Sequence, residues 1–261
     1  MRIVRFTPGP DAGLGQDPLF GVLEDDATIS IISGDPIYSG IQKTAAKIEL
    51  NKVRLLAPII PRSKVVCVGK NYADHAAEMG GVVPDEPIIF LKPNTSVIGP
   101  NDTIVWPEMS ERIDHEAELA IVIGRICKDV PVERVNDVIF GYTIANDVTA
   151  RDLQKKDGQW TRAKGFDTFC PIGPWVDTDF VPGTQKITAT IAGEVKQSAQ
   201  ISDMIFDVPT IVNFVSRVMT LLPGDIILTG TPAGIGPMVA GEKATMAIEG
   251  LGELTNKVSA R

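Results

Sequence analysis

The sequence predicts a β-rich α+β fold in a chain of 261 residues. Short runs rich in Val, Ile, Thr and Phe outnumber the stretches with helical spacing. Those runs do not alternate regularly with helices, as a doubly wound parallel sheet requires. Hydrophobic residues make up 44% and charged residues 22% of the chain, which allows a sizeable core and gives no signature of disorder.

The elements follow in order. RIVRFT and FGVLEDDATISII read as strands, with the acidic EDD as a turn. RLLAPIIPRS (54–63) is punctuated by proline and reads as a connector. It sets a boundary near residue 58, between a small N-terminal β domain (1–58) and a larger domain (59–261). KVVCVG opens the larger domain as a strand. NYADHAAEMGG has helical spacing and a Gly-Gly stop. PIIFLKP, NDTIVWP, EAELAIVIG and FGYTIANDV read as strands, and VERVNDVI as a helix. TARDLQKK opens with a Thr-x-x-Asp capping pattern and reads as a helix. ITATIAGEVKQSA reads as a hairpin turning at Ala-Gly-Glu. In VPTIVNFVSRVMTL the residues Ile211, Phe214, Val215, Val218 and Leu222 are placed on one helix face. GDIILTGTPAGIG is a strand running into a Gly-rich loop.

The formal net charge is −8, which argues against a nucleic-acid footprint. No apolar run is long enough to span a membrane, and the N-terminus lacks the apolar stretch of a signal peptide. Cys67, Cys127 and Cys170 are odd in number and widely spaced, without a CxxC. They read as reduced, buried thiols of a cytoplasmic protein rather than a zinc cage.

The chemistry-bearing residues begin with Glu116 and Glu118. They are two apart at the head of an apolar strand and so point the same way. Asp147 ends a second strand, just before a helix. Three carboxylates converging from strand ends suit a hard divalent cation, Mg²⁺ or Mn²⁺. The alternative is that each glutamate pairs with a neighbouring Lys or Arg. His75 and Glu78, at i and i+3 on one helix, can act as a carboxylate-held general base or as a plain surface pair. Arg151 and Gln154 share a face of the helix after Asp147. Lys164 sits among aromatic residues, where it can pair with a glutamate or stabilise an enolate oxygen. His115 points away from Glu116 and reads as packing or support. The loop TGTPAGIG (229–236) lacks nucleotide-binding spacings but can hold a carboxylate on its backbone N–H groups.

Taken together, VGKNYADHAAEM, FLKP, DHEAELAIVIG, GYTIANDVTARDLQ, WTRAKGFDTFCPIGPW and ILTGTPAGIGP resemble the fumarylacetoacetate hydrolase family, in that family's order over roughly residues 64–237. The likeness is to its compact bacterial members and to its acylpyruvate hydrolase and oxaloacetate decarboxylase branch. It implies a mixed β-sheet roll, a homodimer, and Mg²⁺ or Mn²⁺ held by Glu116, Glu118 and Asp147. It makes His75 and Glu78 the catalytic dyad, on a segment that in relatives acts as a lid. Lys164 matches the active-site lysine, and Arg151, Gln154 and Thr231 match positions near the substrate. The implied substrate is a 2-oxo acid cleaved between C3 and C4, by decarboxylation of oxaloacetate or hydrolysis of an acylpyruvate. Isomerisation of a longer dienol diacid, such as 2-hydroxyhepta-2,4-diene-1,7-dioate, is the alternative within the family. A metal-stabilised binding protein without turnover is the alternative outside it.

Overall fold

The computed structural model describes residues 1–259, so the last two residues of the expected 59–261 domain lie outside the described residues. Its largest sheet has twelve strands. Ten run in the order Lys43–Glu49, Thr28–Ile32, Leu19–Leu23, Arg2–Pro8, Cys170–Asp177, Ile139–Asn146, Ala117–Ile123, Ile226–Leu228, Val65–Gly69 and Ile88–Lys92. Val53–Leu56 adds to Arg2–Pro8, and Val97–Ile98 adds to Cys170–Asp177. Most pairings are antiparallel. Ile226–Leu228 runs parallel to Val65–Gly69, which makes the sheet mixed. The N-terminal strands join the same sheet, because Arg2 and Ile3 pair with Asp177 and Val176.

A five-stranded sheet packs across the middle of the large one. Its order is Glu194–Gln200, Lys186–Ile191, Lys243–Ile248, Gly252–Val258, Thr103–Ile104. Leu119, Ile121 and Ile144 from the first sheet meet Ile187, Met246 and Leu254 from the second in one core cluster. Burying side chains of this size contributes about 1.5–3 kcal/mol each. Every residue of Ala117–Ile123 is buried, which explains its continuous apolar run.

Four local expectations need correction. Thr149 does not cap the following helix, Arg151–Asp157. It lies in the two-residue strand Thr149–Ala150, and its hydroxyl donates to the Asp147 carbonyl, so the local hydrogen bond is taken by the site loop. VERVNDVI forms a 3-10 helix, Val132–Asp137. NDTIVWP contributes only Thr103–Ile104, since Pro107 and the turn after it cannot extend the ladder. In the helix Val208–Val218 the buried stripe is Val208, Ile211, Val212 and Val215, while Val218 is exposed and Leu222 lies beyond the helix. The hairpin at 186–200 forms as expected. No cysteine is paired among the described residues, and Cys127 is half-buried rather than buried. No described helix is long and apolar enough to cross a membrane.

Candidate metal centre and active site

Strand register assembles the acidic cluster. Ala117 pairs with Asn146, and the Asp147 N–H donates to the Glu116 carbonyl at 2.9 Å. Glu116 sits in the break between strands Ile113–His115 and Ala117–Ile123, where the Asn146 side chain accepts from its N–H at 3.0 Å. The ends of two adjacent strands therefore deliver Glu116, Glu118 and Asp147 to one point. One oxygen of each lies within 4.8 Å of the others, and all three residues are buried.

The three carboxylates are not equally partnered. Glu116 accepts from Arg151 on one oxygen and from Lys164 Nζ, at 2.7 Å, on the other. Asp147 accepts from Lys92 Nζ and from Lys164 Nζ, each at 2.6 Å. Among the described residues Glu118 has no cationic contact; its Oε2 accepts from the Gly230 N–H at 2.6 Å. That donor needs a glycine, because Gly230 has φ +98° and a Cβ there would fall 2.6 Å from the Asn71 Cβ.

Electrostatics follow the partners. Burial pushes the Glu116 carboxyl up, but Lys164 and Arg151 outweigh it and hold the group far below the usual carboxylate range. Burial, then the charges of Asp147 and Glu116, push Glu118 well up. Burial lowers Lys164, but Asp147 and Glu116 more than restore its proton affinity. Glu116 and Asp147 face the buried cations Lys92, Lys164 and Arg151, and Asp114 is shared between Arg151 and Arg112. Among the three carboxylates of the cluster, Glu118 is the one without a cation in contact among the described residues. Both readings of the glutamates are thus half realised: Glu116 is ion-paired, and Glu118 lacks a cation.

This donor set fits a divalent cation. Its ligand atoms are hard carboxylate oxygens at strand ends, and Glu118 Oε1 has no hydrogen bond among the described residues. A cation there would relieve the like-charge repulsion that the ammonium groups leave unbalanced.

The cluster forms the floor of a small cleft of about 30 Å³. His75, Met79, Lys70, Arg151, Gln154 and Thr231 line it together with Phe90 and Trp160. His75 is buried on the helix Ala73–Glu78, and its Nδ1 lies 3.2 Å from Glu78 Oε2. The Gly234 N–H donates to Glu78, at 3.2 Å to Oε1, which ties the helix to the Gly-rich loop. Arg151 and Gln154 touch each other through Nη1 and Oε1, and Arg151 also reaches Asp114 at 2.8 Å. Thr231 accepts from the Gln197 side chain at 2.8 Å. All nine residues singled out in the sequence therefore meet at this cleft or at its rim.

Sequence reasoning missed four supporting residues. Lys92 is 1% exposed and grips Asp147, although it ends an ordinary-looking strand. Asp114 orients Arg151 from the Glu116 strand face. Gln197 bridges the Ala117 N–H, Thr231 and the Pro232 carbonyl from the other sheet. Asn71 holds the Phe206 and Thr229 carbonyls. Lys92, whose charge closes an apolar run, and Asp114, two residues before Glu116, carried a local signal. His115 is buried, and among the described residues neither of its ring nitrogens has a hydrogen bond of normal geometry, although the Gly234 and Gly236 backbone lies beside the ring; burial lowers its proton affinity.

A family model described as Fumarylacetoacetate (FAA) hydrolase C-terminal matches residues 64–259, and one described as Rv2993c-like, N-terminal, matches residues 1–58. Protein Rv2993c of Mycobacterium tuberculosis is 60% identical over 86% of this chain and 84% of its own length. The mitochondrial oxaloacetate tautomerase Fahd2a of Rattus norvegicus is 43% identical over 80% of this chain and 70% of its own. Among solved structures, 5-carboxymethyl-2-hydroxymuconate delta-isomerase from Mycobacterium smegmatis superposes with a TM-score of 0.91 at 48% identity over the whole of both chains. Fumarylpyruvate hydrolase from Pseudomonas aeruginosa, in complex with Mn²⁺ and pyruvate, superposes with a TM-score of 0.73 at 34% identity over 80% of this chain and 92% of its own. The fold, the acidic cluster and these matches agree, and the chain belongs to the fumarylacetoacetate hydrolase family.

Proposed function

We propose that the chain is a divalent-cation-dependent enzyme of small 2-oxo acids, and that it works by stabilising the enolate formed at C3. The observation that carries this reading is the converging set Glu116, Glu118 and Asp147, in which Glu118 has no cation in contact among the described residues, open to a cleft. A divalent cation held by these three would supply Lewis-acid polarisation of the keto oxygen and carboxylate of a 2-oxo acid.

The chain's own residues would do the rest. Lys164, held between Glu116 and Asp147, places a fixed positive charge beside the developing oxyanion. Arg151, Gln154 and Thr231 form the wall against which the acid is oriented. Glu78 engages His75 at Nδ1, which leaves Nε2 as the ring atom free to take or give a proton. With an acyl tail, His75 would deprotonate a water for attack at C4, and the C3–C4 bond breaks. With oxaloacetate, either CO₂ leaves from C4 or His75 moves a proton at C3. The relative named as an oxaloacetate tautomerase supports proton movement, and the neighbour named as a fumarylpyruvate hydrolase supports C3–C4 cleavage.

The chain is also read as a homodimer with its boundary near residue 58. The two family matches, ending at 58 and starting at 64, support that boundary.

The test is turnover of oxaloacetate and acetylpyruvate, side by side, on EDTA-stripped protein with and without Mg²⁺ or Mn²⁺. Enol–keto exchange and pyruvate release are followed separately. Metal-dependent loss of either substrate is expected. Absence of any turnover with metal bound sinks the reading for these substrates and moves it to longer dienol diacids.

A further inference from the structure

The cations around the cleft are not equally occupied. Lys164 and Arg151 each hold carboxylates of the floor. Lys70 lines the same cleft and has no carboxylate or hydrogen-bond partner among the described residues. We infer that Lys70 is an anion subsite, which takes the second carboxylate of a 2-oxo dicarboxylic acid. The inference rests on the reading of the cleft as a 2-oxo acid site.

Three features separate Lys70 from a solvated surface lysine. First, its backbone has φ +57°, a left-handed conformation uncommon for residues with a side chain. Its neighbours keep it there: Gly69 packs against the Trp160 ring, and the Asn71 side chain is pinned by three hydrogen bonds to the 205–229 region. The backbone therefore dictates where the side chain starts. Second, its ammonium has a prepared seat. A Cβ on Gly81 would fall 2.6 Å from Lys70 Nζ, so the missing side chain at 81 makes room for it. The seat lies beside the helix that carries His75 and Glu78. Third, the charge is complementary: the second carboxylate of a 2-oxo dicarboxylate is the group that an unpaired ammonium binds. A 2-oxo acid with a neutral tail leaves Lys70 unpaired. On this reading the tail carboxylate of the dianion pairs with Lys70, which lines the same cleft as the carboxylate cluster.

The test compares Lys70→Met with the native chain and with Lys70→Arg. The readout is the ratio of KM for oxaloacetate to KM for acetylpyruvate. A charge-assisted hydrogen bond predicts a rise in that ratio of about tenfold to hundredfold in Lys70→Met, with kcat on oxaloacetate changed little. Lys70→Arg restores most of it. Gly81→Ala, which fills the seat, raises the ratio in the same direction. An unchanged ratio, or a fall in kcat with KM intact, overturns the subsite. If the native chain turns over neither substrate, the functional reading has failed and the subsite is decided by calorimetry. Mn²⁺-loaded protein is then titrated with 2-oxoglutarate and with 2-oxobutyrate. A preference for the dicarboxylate that Lys70→Met abolishes upholds the subsite; equal binding of both overturns it.

Discussion

The floor and the roof of the cleft are built in opposite ways. The floor hangs from the ends of central strands, and each of Glu116 and Asp147 is gripped by two buried cations. The roof is a helix of six residues, Ala73–Glu78, followed by a stretch in which Val82 is 88% exposed. It is fastened by the isolated bridge of Tyr72 to Met204 and by the Gly234 contact to Glu78. Local stability scales with such buried contacts, so fewer fastenings hold the roof than hold the floor. The difference teaches a division of labour. The floor fixes charge in a frame of central strands, and the roof brings His75, the proposed proton-transfer group, on a lightly fastened segment.

The comparison breaks first at Asp147. Asp147→Asn leaves Lys92 and Lys164 short of a counter-charge in a buried place. Removing one partner of a buried pair costs about 3–5 kcal/mol. For a chain of this size that lowers the melting temperature on the order of 10 °C. The rise in melting temperature on adding Mn²⁺ should vanish as well, because mass action needs the ligand. His75→Ala should do the reverse. Turnover falls by about two to four orders of magnitude, as for loss of a general acid–base group, while the Mn²⁺-induced rise persists. Equal losses of stability in the two variants would erase the division between floor and roof.

Glu118→Gln sharpens the same comparison within the floor. Its carboxylate lacks a cation and is pushed up by burial and by its neighbours. Removing that charge should leave the metal-free melting temperature unchanged or raise it, while the Mn²⁺-induced rise disappears. A drop like that of Asp147→Asn would mean that the Glu118 carboxylate is already balanced without the metal.

The sequence made this cluster legible for a simple reason. Glu116 and Glu118 are near neighbours, and alternation along a strand is a local rule. His75–Glu78 and Arg151–Gln154 are likewise i, i+3 pairs, and both pairs form. The partners that set the charge state are not local. Lys92 reaches Asp147 across 55 residues, Asp114 reaches Arg151 across 37, and Gln197 reaches Thr231 across 34. Strand order is equally non-local: Arg2–Pro8 joins Cys170–Asp177 through a pairing that no neighbouring residue announces. The cap expected at Thr149 failed for the same reason, since the site loop competes for its hydroxyl.

The smallest effect concerns what keeps the floor in place from outside. Asp152 accepts from Ser110 Oγ at 2.6 Å and from the Glu111 N–H at 3.0 Å. It thereby ties the loop before strand Ile113–His115 to the helix that carries Arg151. Burial raises its proton affinity, but the bonds from Ser110 and Glu111 outweigh this and hold the carboxyl below its ordinary value of 3.8. A depressed folded pKa means that the folded chain stays ionised where the unfolded chain takes a proton. The resulting stability is complete above the unfolded value and is lost as pH falls through the folded one. Asp152→Asn should therefore cost about 1 kcal/mol at neutral pH, in the range of one net hydrogen bond. The gap from the native chain should stay flat down to about pH 4 and narrow below it. Denaturant titrations at neutral pH and at successive acid steps measure the gap directly. A gap that widened on acidification would show that the loop is held by something other than this carboxylate. The floor would then owe its rigidity to the strands alone.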